Sequence, residues 1–203
     1  MIKKLSIDYK KYIDTMENKD FVLIDPPWNY DNKDTEFTSR TNFSKITDNV
    51  EFLNYMFANV KSKIILLWIT SPLLGYFFDT KDKIDTKAFK YKQMLTWVKT
   101  KNDGSLYEGP GFWFKNSCEF MILFVNKNVK PIRSRIPNYC EEKATRSDAT
   151  TKPKTYESFI LRELYNSGHT NGSYIFSGTY EDYDISKNQN IDLIDVLFNG
   201  VKK

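Results

Sequence analysis

The residues with the clearest chemical capacity lie where an apolar run stops. Phe21-Val22-Leu23-Ile24 leads directly into Asp25-Pro26-Pro27-Trp28-Asn29-Tyr30. Four consecutive apolar residues fit a short strand buried on both faces. Pro26 and Pro27 cannot donate to a sheet ladder, and each holds its preceding residue extended. The strand must therefore end at Asp25, and a stiff, non-helical loop follows. Open α/β sheets bind ligands at the carboxyl ends of their strands. There the loop offers a carboxylate, backbone carbonyls and the rings of Trp28 and Tyr30. A carboxylate and a carbonyl can accept the two hydrogens of an amino group, while an aromatic ring covers a planar base. For a bare Asp-Pro-Pro, the competing reading is a tight proline turn with Trp28 as ordinary core. Asp-Pro-Pro-Trp after an apolar run is the rarer pattern.

Three further stretches carry weaker signals. Gly104 and Gly109-Pro110-Gly111 lead into Phe112-Trp113-Phe114 and Asn116-Ser117-Cys118-Glu119. This is either a hairpin with aromatic packing or a loop whose glycines let the backbone and Trp113 approach a flat base. Thr151-Lys152-Pro153 precedes a helical pattern that contains Glu157 and Ile160. Lys152, beside the open donors of a helix N-terminus, can hold a carboxylate. Ser173 to Glu181 reads as a strand ending in a small-residue turn, Phe176-Ser177-Gly178, with Tyr180 and Glu181 beyond it. Such a turn admits a nucleoside, and an acid just past it can bind ribose hydroxyls.

The elements that position these residues follow from periodicity. Residues 1–20 are polar and read as a short helix or arm. Thr47 is the expected N-cap of a helix bearing Phe52, Leu53, Met56, Phe57 and Val60 at helical spacing. Lys63 to Thr70 is a second buried strand. Ser71-Pro72 opens a helix running to about Lys83. Ala88 to Val98 and Cys118 to Val125 are two strands with no helix between them, which predicts an antiparallel pair at one edge. Pro153 to Tyr165 is a helix, Ser173 to Ser177 a last strand, and Ile191 to Phe198 a short amphipathic helix. Strands alternating with helices give an α/β sheet with mostly parallel strands. Residues 31–46 are polar and form either a lid over the Asp25 loop or an unstructured insertion.

The chain has 203 residues, 40% hydrophobic and 16% aromatic, with net charge +4. That is enough apolar material for one domain with a core, and the charge permits a nucleic-acid partner without requiring one. Two cysteines and one histidine make neither a disulfide framework nor a zinc site. No metal is expected. Met1-Ile2-Lys3-Lys4 leads into polar residues rather than an apolar segment, and no run approaches a membrane span. The expected location is cytoplasmic, with no membrane partner. Residues 126–154 hold eight basic residues against three acids, Arg133 and Arg135 among them. They read either as a phosphate-binding segment or as a solvated loop.

Taken in order, Asp25-Pro26-Pro27-Trp28-Asn29-Tyr30, Leu67-Trp68-Ile69-Thr70, Thr96-Trp97-Val98-Lys99, Gly111-Phe112-Trp113 with Asn116-Ser117-Cys118-Glu119, and Lys152-Pro153 with Glu157 span nearly the whole chain. In this order the chain resembles the adenine methyltransferase family typified by the catalytic subunit of the messenger-RNA adenosine methyltransferase, with its bacterial and phage relatives. Asp-Pro-Pro-Trp is the specific motif. The others gain weight from order and spacing.

The resemblance implies a Rossmann-like, S-adenosylmethionine-dependent methyltransferase fold in permuted motif order, formed by a single domain over residues 1–203. Loops 100–117 and 126–151 would then face the substrate. It implies methyl transfer from S-adenosylmethionine to the 6-amino group of adenine in a polynucleotide. Asp25, Pro26, Pro27 and Trp28 would be catalytic; Tyr30, Trp113, Arg133 and Arg135 would bind substrate. Asp25, Lys152, Phe176, Ser177, Gly178, Tyr180 and Glu181 would hold the cofactor, with Asn188 a further ribose candidate. DNA is favoured over RNA, in a bacterial or phage-infected cell, with a homodimer or heterodimer as the assembly to look for. The chain departs from the family at Thr150-Thr151 before Lys152, at Tyr174 to Gly178, and at Asp182 to Asn190, so ribose contacts are the least defined. Two other readings stand beside it: a non-catalytic partner that binds nucleic acid, and a methyltransferase for a small molecule or a protein amide.

Overall fold

The computed structural model describes residues 9–30, 46, 48–111, 113–144, 152–176 and 179–184. Its helices are α1 (Tyr9–Thr15), α2 (Asn49–Asn59), α3 (Ser71–Asp79) and α4 (Lys154–Asn166). Its strands are β1 (Lys19–Asp25), β2 (Ser62–Thr70), β3 (Phe89–Thr100), β4 (Cys118–Asn126), β5 (Tyr139–Lys143), β6 (Asn171–Phe176) and β7 (Thr179–Asp184). They form one sheet in the order β5-β3-β4-β2-β1-β6-β7. β1 runs parallel to β2 and β6, and β3 parallel to β5; the β2–β4, β3–β4 and β6–β7 pairs are antiparallel. Five strands therefore point one way, and only β4 and β7 oppose them. This is the mostly parallel α/β sheet that the alternating elements predict, and the Rossmann-like arrangement that the resemblance implies.

β1 carries a continuous apolar run because both of its faces are covered. Val22 and Ile24 face one core with Ile65, Leu67, Phe52, Met56 and Phe57 under α1, α2 and α3. Phe21 and Leu23 face the other with Leu66, Trp68, Trp97, Tyr156 and Ile160 under α4. Side chains alternate along a strand, so every second residue reaches the α4 side. That parity decides which residues meet at the site.

Several boundaries differ from expectation. The N-cap of α2 is Asp48, whose Oδ1 accepts from Val50 N at 2.7 Å and Glu51 N at 3.1 Å; Thr47 lies outside the described residues. α3 stops at Asp79, and a single 3₁₀ turn, Lys81–Lys83, takes the remainder. β5 (Tyr-Cys-Glu-Glu-Lys) and β7 (Thr-Tyr-Glu-Asp-Tyr-Asp) are polar strands with no apolar run to reveal them. β5 covers the free side of β3, so the antiparallel β3–β4 pair lies one strand in from the edge. The polar segment before Ile46 and the helix expected at Ile191 to Phe198 lie outside the described residues.

Candidate active site

β1 ends at Asp25, as its two prolines require. The loop is then fastened at three points. Trp28 Nε1 donates to the Trp68 carbonyl of β2 at 3.0 Å. The Asn49 amide mimics a strand partner, accepting from Asn29 N at 3.1 Å and donating to Asn29 O at 2.8 Å. Ile46 N donates to Pro27 O at 3.2 Å. Trp28 is only 7% exposed, with Phe52 edge-on at 5.8 Å. Its ring is therefore a core anchor and no open platform, which corrects its candidacy for stacking. Tyr30 is 37% exposed, with its hydroxyl 3.0 Å from Thr70 Oγ1, and keeps that candidacy. Pro26 O accepts Trp28 N at 2.9 Å, which leaves one carbonyl lone pair for a ligand.

Asp25 belongs to the parity of Phe21 and Leu23 and so faces α4. Three other charged residues share that face at the same end of the sheet. Lys152 Nζ lies 3.2 Å from Asp25 Oδ1 and 2.7 Å from Glu119 Oε2. The other Glu119 oxygen, Oε1, pairs with Lys99 Nζ. All four side chains are about nine-tenths buried, and their signs alternate from Asp25 to Lys152, Glu119 and Lys99. The strand register explains the meeting. Glu119 opposes Thr70 on β2 and Trp97 on β3, and Lys99 follows Trp97 by two residues. The lysines lie over two indoles, Lys152 at 5.3 Å from the Trp68 ring and Lys99 at 4.8 Å from the Trp97 ring. The two indoles meet edge-on at 6.3 Å. Trp68 Nε1 donates to Glu157 Oε1 at 2.8 Å and Trp97 Nε1 to Glu142 O at 2.8 Å, so this aromatic floor has both of its polar atoms satisfied.

The charges are shared unequally. Glu119 holds the shorter contact to Lys152 and has Lys99 as well, and these two cations keep its carboxyl below the usual range despite burial. Asp25 has only the longer Lys152 contact. Burial outweighs that contact, the neighbouring Glu119 charge adds to it, and the Asp25 carboxyl rises to about 6. Lys152, facing two carboxylates, is held protonated well above its ordinary range although it is buried. The arrangement leaves Asp25 as the weakly satisfied anion at the open end of the chain of charges.

The N-terminus of α4 is not open to a ligand carboxylate, contrary to the sequence expectation. Glu142 of β5 takes Thr155 N and Tyr156 N, each at 3.0 Å, and Pro153 O takes Glu157 N. Lys152 remains there as the buried cation, while Lys154, the first residue of α4, is exposed. Arg133 and Arg135 are not brought to Asp25 either. Their loop leaves the far end of β4, about 24 Å along the strand from Glu119. Arg135 N then contacts Glu163 at 3.3 Å, about 14 Å down α4 from its start. Trp113 lies on the β3–β4 hairpin and is exposed. Phe176 is the rung partner of Asp25, and the β6–β7 register pairs Ile175 with Tyr180 and Tyr174 with Glu181. Ser177, Gly178, Thr151 and Asn188 lie outside the described residues. Lys99 and Glu119 were the residues sequence reasoning missed. Their signal is parity: Lys99 continues the inward register of Leu95 and Trp97, and Glu119 that of Met121.

The fold is a Rossmann-like sheet whose central strand β1 ends in the Asp-Pro-Pro-Trp loop. The MT-A70 family model matches residues 19–169, and the chain belongs to that family. This is a family of S-adenosylmethionine-dependent adenine methyltransferases, and the match takes in Asp25, Glu119 and Lys152. No curated protein matches the chain. Among the described residues, no group of His, Cys, Asp and Glu could hold a metal ion, and no helix is long and apolar enough to cross a membrane.

Proposed function

We propose that this protein methylates the 6-amino group of adenine in DNA, using S-adenosylmethionine. The observation that carries the reading is Asp25: a buried carboxylate at the carboxyl end of a central strand, raised to about 6 and bound to one shared lysine. An adenine amine is a poor nucleophile because its lone pair is delocalised into the ring. Asp25 accepts one of its hydrogens and the free lone pair of Pro26 O the other, which favours a pyramidal nitrogen. Positive charge develops on that nitrogen as its bond to carbon forms, so both hydrogen bonds strengthen toward the transition state. A carboxyl near 6 is also basic enough at neutral pH to take the proton that the nitrogen then loses, directly or through water. Tyr30 covers a face of the base, and in a duplex the base is first flipped out of the stack.

The donor set fits the cofactor. Asp25 and Lys152 set one anion beside one cation, matching the ammonium and carboxylate of an amino-acid end. The bound cofactor supplies a methyl group activated on a sulfonium. DNA is the polymer proposed, and RNA is the alternative that the assay separates from it. The test is transfer of a labelled methyl group to duplex DNA, single-stranded DNA and RNA, followed by digestion to nucleosides. Labelled 6-methyladenine from either form of DNA, in excess over RNA, is the expected product. Label in RNA alone would move the substrate, and label in no polymer would refute the reading.

A further inference from the structure

The hairpin between β3 and β4 ends in two neighbouring aromatic side chains that touch little of the fold. Trp113 is 93% exposed and Phe114 is 88% exposed. The protein's other three tryptophans are buried. Exposed aromatics on a loose loop would mean little, but this loop is held. Gly109 and Asn116 exchange two backbone hydrogen bonds at 3.1 Å, Ser117 Oγ donates to Tyr107 O at 2.7 Å, and Tyr107 N donates to Lys99 O at 2.8 Å. Asn116 Nδ2 also donates to Pro110 O. The glycines are required by close approach: a Cβ on Gly111 would lie 1.9 Å from Phe114 O, and one on Gly109 would lie 2.7 Å from Asn116 O. The backbone is folded so that positions 113 and 114 project.

The hairpin stands on the two strand ends that supply Lys99 and Glu119, at the end of the sheet where Asp25 lies. Lys101, Lys115 and Lys143 are exposed on the same end, with Asp103 and Glu108 opposing them; Asp103 Oδ1 accepts from Ser105 N and Oγ. Two aromatic side chains offer about 300–500 Å². A standard protein interface needs about 800 Å² from each partner, so the tip is small for a subunit contact. It is the size of a stack on one or two bases. We propose that Trp113 and Phe114 are a nucleobase-stacking tip, which grips bases of the polynucleotide next to the adenine held at Asp25. This rests on the proposed methylation of DNA for its ligand class.

The probe is a short adenine-containing single-stranded DNA oligonucleotide. Trp113 is the exposed tryptophan, so the oligonucleotide is expected to quench the red-shifted, iodide-accessible part of the emission. Replacing both residues by Ala is expected to weaken the oligonucleotide about ten- to a hundredfold. Trp113→Phe is expected to restore most of that affinity, and the affinity for S-adenosylmethionine should stay at the wild-type value as a control for folding. Unchanged oligonucleotide affinity in the double variant, or absent quenching in the wild type, overturns the tip. So does a dimer that dissociates in the double variant with oligonucleotide affinity unchanged, which would make the tip a protein contact. The two readings fail separately. Methyl transfer with no loss of affinity in the variant refutes the tip alone. Quenching by the oligonucleotide with no methyl transfer refutes the methylation alone.

Discussion

Asp25→Asn is expected to lower methyl transfer by about 10²–10³-fold while leaving the fold intact. The amide is nearly isosteric and still offers an oxygen, but it has lost the charge that answers the positive charge developing on the amine. It also cannot take the proton. The change removes an interaction that strengthens in the transition state, so kcat should fall more than KM rises. Stability should move in the opposite direction. The Asp25 carboxyl is raised from 3.8 in the open chain to about 6 in the fold, so the folded protein favours the protonated form. The stability this group contributes is fully present below 3.8 and is lost as pH rises through about 6. At pH above about 7 the ionised carboxylate is a burden on the fold, and a neutral amide relieves it while Glu119 keeps Lys152 paired. Urea unfolding above that pH should place the Asp25→Asn midpoint at or beyond that of the wild type. A variant that loses activity and also unfolds early would mean that Asp25 is a structural partner of Lys152 and no more.

Trp28→Ala is expected to destabilise the fold by about 3–5 kcal/mol. The indole fills a site against Phe52, and its Nε1–H is the tie between the loop after β1 and the Trp68 carbonyl of β2. Truncation leaves a cavity and a buried carbonyl without that donor, two separate costs. Trp28→Phe keeps most of the volume and loses only the hydrogen bond, so it should cost about 1–2 kcal/mol. Chemical denaturation of both variants checks the order. Equal stability of wild type and Trp28→Ala would show that the ring is not the anchor its burial makes it. Transfer should fall in both, because Asp25 precedes Trp28 by three residues and is oriented by the same loop.

Much of the fold was legible because its core strands are buried on both faces and written as apolar runs. β1, β2 and β4 are such runs, and α2 and α4 carry clear helical stripes. β5 and β7 were not legible. They are polar edge strands, placed by pairing with β3 and β6 rather than by any pattern of their own. At the site, the prolines mark the end of β1, whereas the contact between Asp25 and Lys152 joins residues far apart in sequence and is seen only in the fold. The partners of Lys152 were read wrongly because local sequence shows a helix start but not what caps it. Glu142, thirteen residues before Thr155, fills that place from the neighbouring strand. The basic charge of residues 126–154 shows in the sequence, but which end of the sheet Arg133 and Arg135 reach depends on where β4 ends. β4 runs away from Asp25 and carries their loop with it.

The pH dependence of the single-turnover transfer rate reads the ionisation of Asp25 itself. The rate is expected to rise tenfold per unit at low pH, bend at about 6 and stay level above it. In Glu119→Gln the bend should move to lower pH, since the Glu119 charge helps to raise Asp25 and its loss turns Lys152 wholly toward Asp25. A rate that stays flat through pH 6, or a bend that stays in place in Glu119→Gln, would contradict an ionised Asp25 as the group that receives the amine.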